Sequence, residues 1–126
     1  MLLAACSSQS PASASIVVLD RDFDLKAGET ARLEDSDLVM RFEAVTSDSR
    51  CPADVTCITA GDALVRLHVR GGGAGDRTLE LHAVEEPKEA IHGPFVIRLE
   101  DLRPPPRVGQ PIEASDYVAT LRIRRP

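Results

Sequence analysis

From Ile16 onward, apolar residues recur at every second position, the period of a strand with one buried face. Leu38, Met40, Phe42 and Ala44 share one face of a predicted strand, with Arg41 and Glu43 on the other. Ala63, Val65, Leu67 and Val69 alternate with Arg66, His68 and Arg70. Phe95, Ile97 and Leu99 alternate with Arg98 and Glu100, and Tyr117, Ala119, Leu121 and Ile123 with Thr120, Arg122 and Arg124. Shorter runs at 16–19, Phe23 with Leu25, 30–33 and 78–82 complete the set. Turns fall at 26–29, at the acidic Glu34, Asp35 and Asp37, and at the glycine-rich 71–76, which reads as a flexible hairpin tip. Arg103–Arg107 carries three prolines, which supply no N–H to a ladder, so it predicts an extended connection. The one segment with helical character is 83–90, and Pro87 interrupts it. About seven short strands separated by regular turns predict an all-β chain: an antiparallel β-sandwich, immunoglobulin-like, or else a small barrel. A single domain spans 16–126.

Composition refines that picture in two ways. There is no Trp, one Tyr and three Phe, so the core is built mainly from Val, Leu, Ile and Ala. The formal charge is −5 with acidic and basic residues interspersed, which argues against nucleic acid as a partner.

Residues 1–15 read differently. Leu3-Ala4-Ala5-Cys6 resembles a bacterial lipobox, in which a peptidase cuts before a cysteine that then carries lipid. Only five residues precede Cys6, fewer than a full signal requires, so the segment reads as a truncated lipoprotein signal. The Ser- and Ala-rich stretch 7–15 then forms a flexible tether. Ser7, rather than Asp, after the cysteine implies the outer membrane by resemblance to known lipoproteins. The expectation is a periplasmic face of the cell envelope, held to the membrane by the lipid on Cys6 alone. No segment of the chain approaches the roughly 18 apolar residues of a membrane span.

The sharpest local signal is Asp48-Ser-Arg-Cys-Pro-Ala-Asp-Val-Thr-Cys57, followed by Ile58-Thr-Ala-Gly-Asp-Ala63. Cys51 and Cys57 are spaced for a local disulfide, which an oxidising compartment forms and keeps. Closing so short a loop restricts the unfolded chain by about 2–2.5 kcal/mol. Its expected effect is to hold 52–56 rigid and present Asp48, Arg50 and Asp54 in a fixed arrangement as a candidate binding loop. Five residues separate the cysteines rather than two, and no helix N-terminus is in view to lower a thiol pKa, which disfavours redox catalysis. Arg50 bracing loop carbonyls, and Asp48 with the serines capping turns, are the structural alternatives. The stretch resembles a group of small uncharacterised bacterial secreted or lipoprotein-like proteins with the pattern Asp-Ser-Arg-Cys-Pro, spacer, Cys, any residue, Trp, any residue, Gly. Thr59 stands at the Trp position, and the resemblance implies no activity.

Other chemistry finds little support. The 71–78 glycine run lacks the Lys of a phosphate loop and leads into a strand rather than a helix. His68 and His82 fall on neighbouring outward faces, and His92 follows, but no ligand-spaced Cys or carboxylate joins them, so no metal is expected. Asp48, Asp54 and Asp62 lack the dense oxygen spacing of a calcium loop. Ser47 and Ser49 beside Asp48 have no nucleophile elbow and no neighbouring histidine, so no catalytic residue is assigned and no cofactor is expected. The function expected is a non-catalytic, lipid-anchored envelope domain, binding or structural, whose partner is an envelope protein, a glycan or a small ligand. The alternative resembles chagasin-type protease inhibitors, sandwiches that present three loops at one end. The 48–61 loop, Gly71–Gly75 and Arg103–Pro104 occur in a comparable order, without that family's Asn-Pro-Thr-Thr-Gly motif.

Overall fold

The computed structural model describes residues 14–126, so Cys6 and the lipobox-like stretch around it lie outside the described residues. Nine strands run in order: β1 (Ser15–Val17), β2 (Phe23–Lys26), β3 (Thr30–Leu33), β4 (Val39–Asp48), β5 (Ala63–Arg70), β6 (Arg77–His82), β7 (Glu89–His92), β8 (Phe95–Arg103) and β9 (Val118–Arg124). They form two separate sheets, β1-β3-β4-β5-β6 and β2-β9-β8-β7. The result is a sandwich, not a closed barrel. All pairings are antiparallel except β1 with β3.

The two inner faces supply the core, as the alternation predicts. Met40, Phe42, Val65, Leu67, Val69 and Leu81 from one sheet meet Leu25, Ile97, Leu99, Ala119, Leu121 and Ile123 from the other, all at most 1 % exposed. Burial on this scale, at about 25 cal/mol per Å² of apolar surface, is the main force closing the sandwich.

Three of the expectations need correction. The 83–90 segment holds no helix: it bends into β7, where Glu89 and Ala90 pair with Arg98 and Ile97 of β8. Proline at 87 removes an N–H that a helix needs, while the open edge of β8 offers a ladder. Ala44 does not continue the inward face of β4. A register shift between Phe42 and Ala44 turns Ala44 outward opposite Arg66, and Val45 packs inward opposite Val65. A second shift between Val45 and Ser47 then aims Asp48 inward opposite Ala63. Finally, His92, grouped in the sequence with two outward histidines, is instead fully buried, with Nε2 2.9 Å from the Gly71 carbonyl oxygen. The only helical turn among the described residues is a short 3-10 segment at Ala114–Asp116.

Candidate functional site: a braced loop at one end of the sandwich

The bulged end of β4 delivers a carboxylate to the edge of the core. A buried acid there is costly unless it is paired and hydrogen-bonded, and Asp48 is both. The Arg50 guanidinium forks onto it, Nε donating to Oδ1 and Nη2 to Oδ2, each at 2.8 Å. The Tyr117 hydroxyl, on the residue just before β9, donates to Oδ2 at 2.8 Å. Arg50 also reaches the opposite sheet, donating to the Leu102 carbonyl at 2.8 Å and the Pro104 carbonyl at 3.0 Å. A register shift between Leu99 and Asp101 turns Leu102 inward at this end of β8. The three side chains therefore tie both sheets together at one end.

The electrostatics follow the geometry. Burial pushes the Asp48 carboxyl up, but hydrogen bonds from Arg50 and Tyr117 outweigh it and hold it below the usual carboxylate range. Burial and the same carboxylate push the Tyr117 hydroxyl up to about 12. Side-chain exposure is 10 % for Arg50 and 14 % for Asp48, so neither presents its charge to a partner.

The disulfide Cys51–Cys57 closes the loop that follows. Around it the backbone is fastened at several points. Cys51 N–H donates to the Ala60 carbonyl and Ser49 N–H to the Asp62 carbonyl, while Ala53 N–H donates to the Pro106 carbonyl. Asp54 accepts the Val108 N–H at 3.1 Å, clamping the proline segment to the loop. Gly61 has φ +68°, and a Cβ there would collide with the Ser49 carbonyl oxygen, so only glycine closes the loop. Behind it, Asp62 pairs with His82 and accepts the Val84 N–H at 2.9 Å and the Glu85 N–H at 3.2 Å. Burial pushes this carboxyl up, yet His82 and the backbone donors outweigh it and bring it to about 2.

Asp48 and Arg50 are thus brought together as the frame of the loop rather than its outer surface, while Asp54 is exposed and clamps the proline segment separately. Among the side chains held outward, beside Asp54, Thr56 and Thr59, are large apolar ones. Ile58 is fully exposed, Val55 is 47 % exposed on the same loop, and Val108 is 57 % exposed on the clamped proline segment. Beside them, Pro104, Pro105, Pro111 and Ile112 line a groove of ≈ 290 Å³ with Arg107 and Asp116. Sequence reasoning missed Tyr117, Asp62 with His82, and this apolar rim. Tyr117 reads as one more core residue in an alternating run, and the one usable signal is that a buried tyrosine hydroxyl requires a partner.

The other sequence candidates separate. His68 lies opposite Thr78 and His82 opposite Leu64, so the two rings sit four residues apart along β5. Among the described residues no group of three or more His, Cys, Asp or Glu is placed to hold a metal. Gly71–Gly75 lies at the far end of β5 from the cysteine loop, whereas Arg103–Pro106 lies beside that loop. The three-loop edge that the inhibitor resemblance requires is therefore not formed, because one eight-residue strand separates its first two loops. The far end instead carries an open cleft of ≈ 720 Å³ floored by Leu19, Leu33 and Phe95 and rimmed by Glu34, Asp35 and Asp37. Asp37 there is engaged by the Gly72 N–H at 2.9 Å. No helix among the described residues is long and apolar enough to cross a membrane. No protein-family model, curated protein or solved structure matches this chain.

Proposed function

We propose that the protein is a non-catalytic, lipid-anchored domain of the bacterial cell envelope that binds a partner protein through the rim Val55, Ile58 and Val108. The observation that carries this reading is a fully exposed Ile58 on a loop fastened by a disulfide, an internal ion pair and a clamp to a second segment. An apolar side chain gains nothing from water, and a backbone held in place does not lose loop entropy when a partner covers it. The charged groups nearby support a binding role over a catalytic one, since Asp48, Arg50, Asp62 and His82 are engaged with each other or with the backbone. The lipobox-like Leu3–Cys6, the Ser/Ala-rich tether and a disulfide suited to an oxidising compartment support the envelope location, with the anchor at the outer membrane. The likeness of 48–61 to small secreted and lipoprotein-like bacterial proteins points the same way.

The test is photo-crosslinking in the native envelope from a probe at Val55, followed by identification of captured proteins. One dominant protein, absent when Ile58→Asp is introduced at equal abundance, supports the reading. Identical capture with and without Ile58→Asp overturns protein recognition by this rim and moves a glycan or small ligand forward. Cys6→Ser checks the anchor separately, with loss of acyl label and of membrane retention expected.

A further inference from the structure

On the outer face of the five-stranded sheet, the register places three arginines around one apolar residue. Arg32 and Arg70 lie opposite Val39 on its two sides, and Arg41 follows two residues along the same strand. His68 lies opposite Arg41. Thr30, Val39, Arg41, His68, Arg70 and Asp76 line a groove of ≈ 300 Å³ here. Like charges on adjacent strands repel, and sheets normally relieve this with carboxylates. Elsewhere the chain does so: Arg66 pairs with Glu80, Arg98 and Arg124 with Glu89, Arg103 with Asp24, and Arg122 with Asp22. Among the described residues, no carboxylate lies within 4.0 Å of Arg32, Arg41 or Arg70. The carboxylate in the groove, Asp76, stands 3.8 Å from His68 Nε2 instead. Arg32 contributes one weak bond, to the Ser36 carbonyl at 3.4 Å. A chain with net charge −5 thus leaves Arg41 and Arg70 lining one groove, neither with a carboxylate within 4.0 Å, and Arg32 beside it turned to the Ser36 carbonyl.

We infer that this groove is a binding site for a phosphate group. Planar guanidinium forks match the oxygen geometry of phosphate, and the two that line the groove exceed what its single carboxylate neutralises. The Thr30 hydroxyl offers a further donor at the groove wall, and half-buried Val39 lines the groove between the two arginine positions. The site lies on the sheet face, apart from the loop rim, and does not depend on it.

Inorganic phosphate is the probe, titrated into the isotope-labelled full chain at constant ionic strength, with the arginine side-chain N–H resonances followed by NMR. Saturable shifts at Arg41 and Arg70 are expected, with affinity falling by at least about tenfold in Arg70→Gln, the scale of one charge-assisted fork. Arg66→Gln, on the same strand and face but paired with Glu80, leaves affinity unchanged. A parallel arm uses phosphatidylglycerol and phosphatidylcholine vesicles with chain lacking the lipid. Retention on the former alone, lost in Arg41→Gln, assigns the phosphate to a lipid headgroup. Saturable phosphate binding without retention assigns a soluble phosphorylated ligand. Shifts reproduced by chloride, or binding equal in Arg70→Gln, overturn the site.

Discussion

Replacing Arg50 with alanine tests whether the most specific sequence signal in this chain is a brace. The substitution leaves the Asp48 carboxylate at the end of the core with only the Tyr117 hydroxyl and the residue-50 backbone N–H, which stands at 3.3 Å. Breaking a buried ion pair from one side costs about 3–5 kcal/mol, and the slight exposure of this pair places it near 3. The Leu102 and Pro104 carbonyls also lose their donor, which adds about 1 kcal/mol once water reaches them. The expected loss is about 3–4 kcal/mol, and at roughly 4 °C per kcal/mol for a domain of this size Tm falls by about 12–16 °C. Urea and thermal unfolding followed by circular dichroism measure it, with Asp48→Asn and the double variant completing a cycle. A coupling of about 2 kcal/mol between the two sites is expected. Arg50→Lys recovers only part of the loss, because a point charge cannot fork onto the carboxylate and reach two carbonyls at once. A loss below about 1 kcal/mol for Arg50→Ala, with no coupling, would refute the brace, since surface pairs behave that way.

Two further outcomes concern pH. Asp62 titrates at about 2 in the folded chain, below its ordinary 3.8, so the unfolded chain binds more protons between those values. Its contribution, about 1–2 kcal/mol after allowing for partial exposure, is therefore present above about pH 4 and is lost as pH falls through about 2. Asp62→Asn lowers stability at neutral pH by that amount, and the difference from the parent chain shrinks below about pH 4 and disappears only below about pH 2 in acid unfolding curves; a constant difference across that window would contradict the assignment. Tyr117 titrates at about 12, above its ordinary 10.0, so its contribution is complete below about pH 10 and lost as pH rises through 12. It is the single tyrosine and there is no Trp, so tyrosinate absorbance reports this hydroxyl alone. Ionisation near the ordinary value in a chain that is still folded would contradict both its burial and its bond to Asp48.

Much of the sandwich was legible because strand burial has a local signature. Ala63, Val65, Leu67 and Val69 are all buried, as their alternation states, and so are Tyr117, Ala119, Leu121 and Ile123. The disulfide was legible too, since a six-residue separation brings two cysteines within reach whatever the sheets do around them. Less was legible at the site. Asp48 and Arg50 are joined by a fork whose inward direction the chain did not announce, and Asp54 stands apart from them, exposed, on the Val108 N–H. A register shift changes no residue type, so nothing in the chain near Ala44 announces that Val45 takes its place or that Asp48 turns inward.

Period-two alternation, turn residues and cysteine spacing therefore determined the fold class, the strand faces and the pinned loop, because each depends on residues close together in the chain. Tertiary structure decided what the loop's charges do. Arg50 meets the carbonyls of Leu102 and Pro104, and Asp48 meets Tyr117, across 52, 54 and 69 residues of chain. Pairings at that separation follow from how two sheets stack and where their bulges fall, and only stacking turns an exposed-looking acidic loop into a frame with an apolar rim.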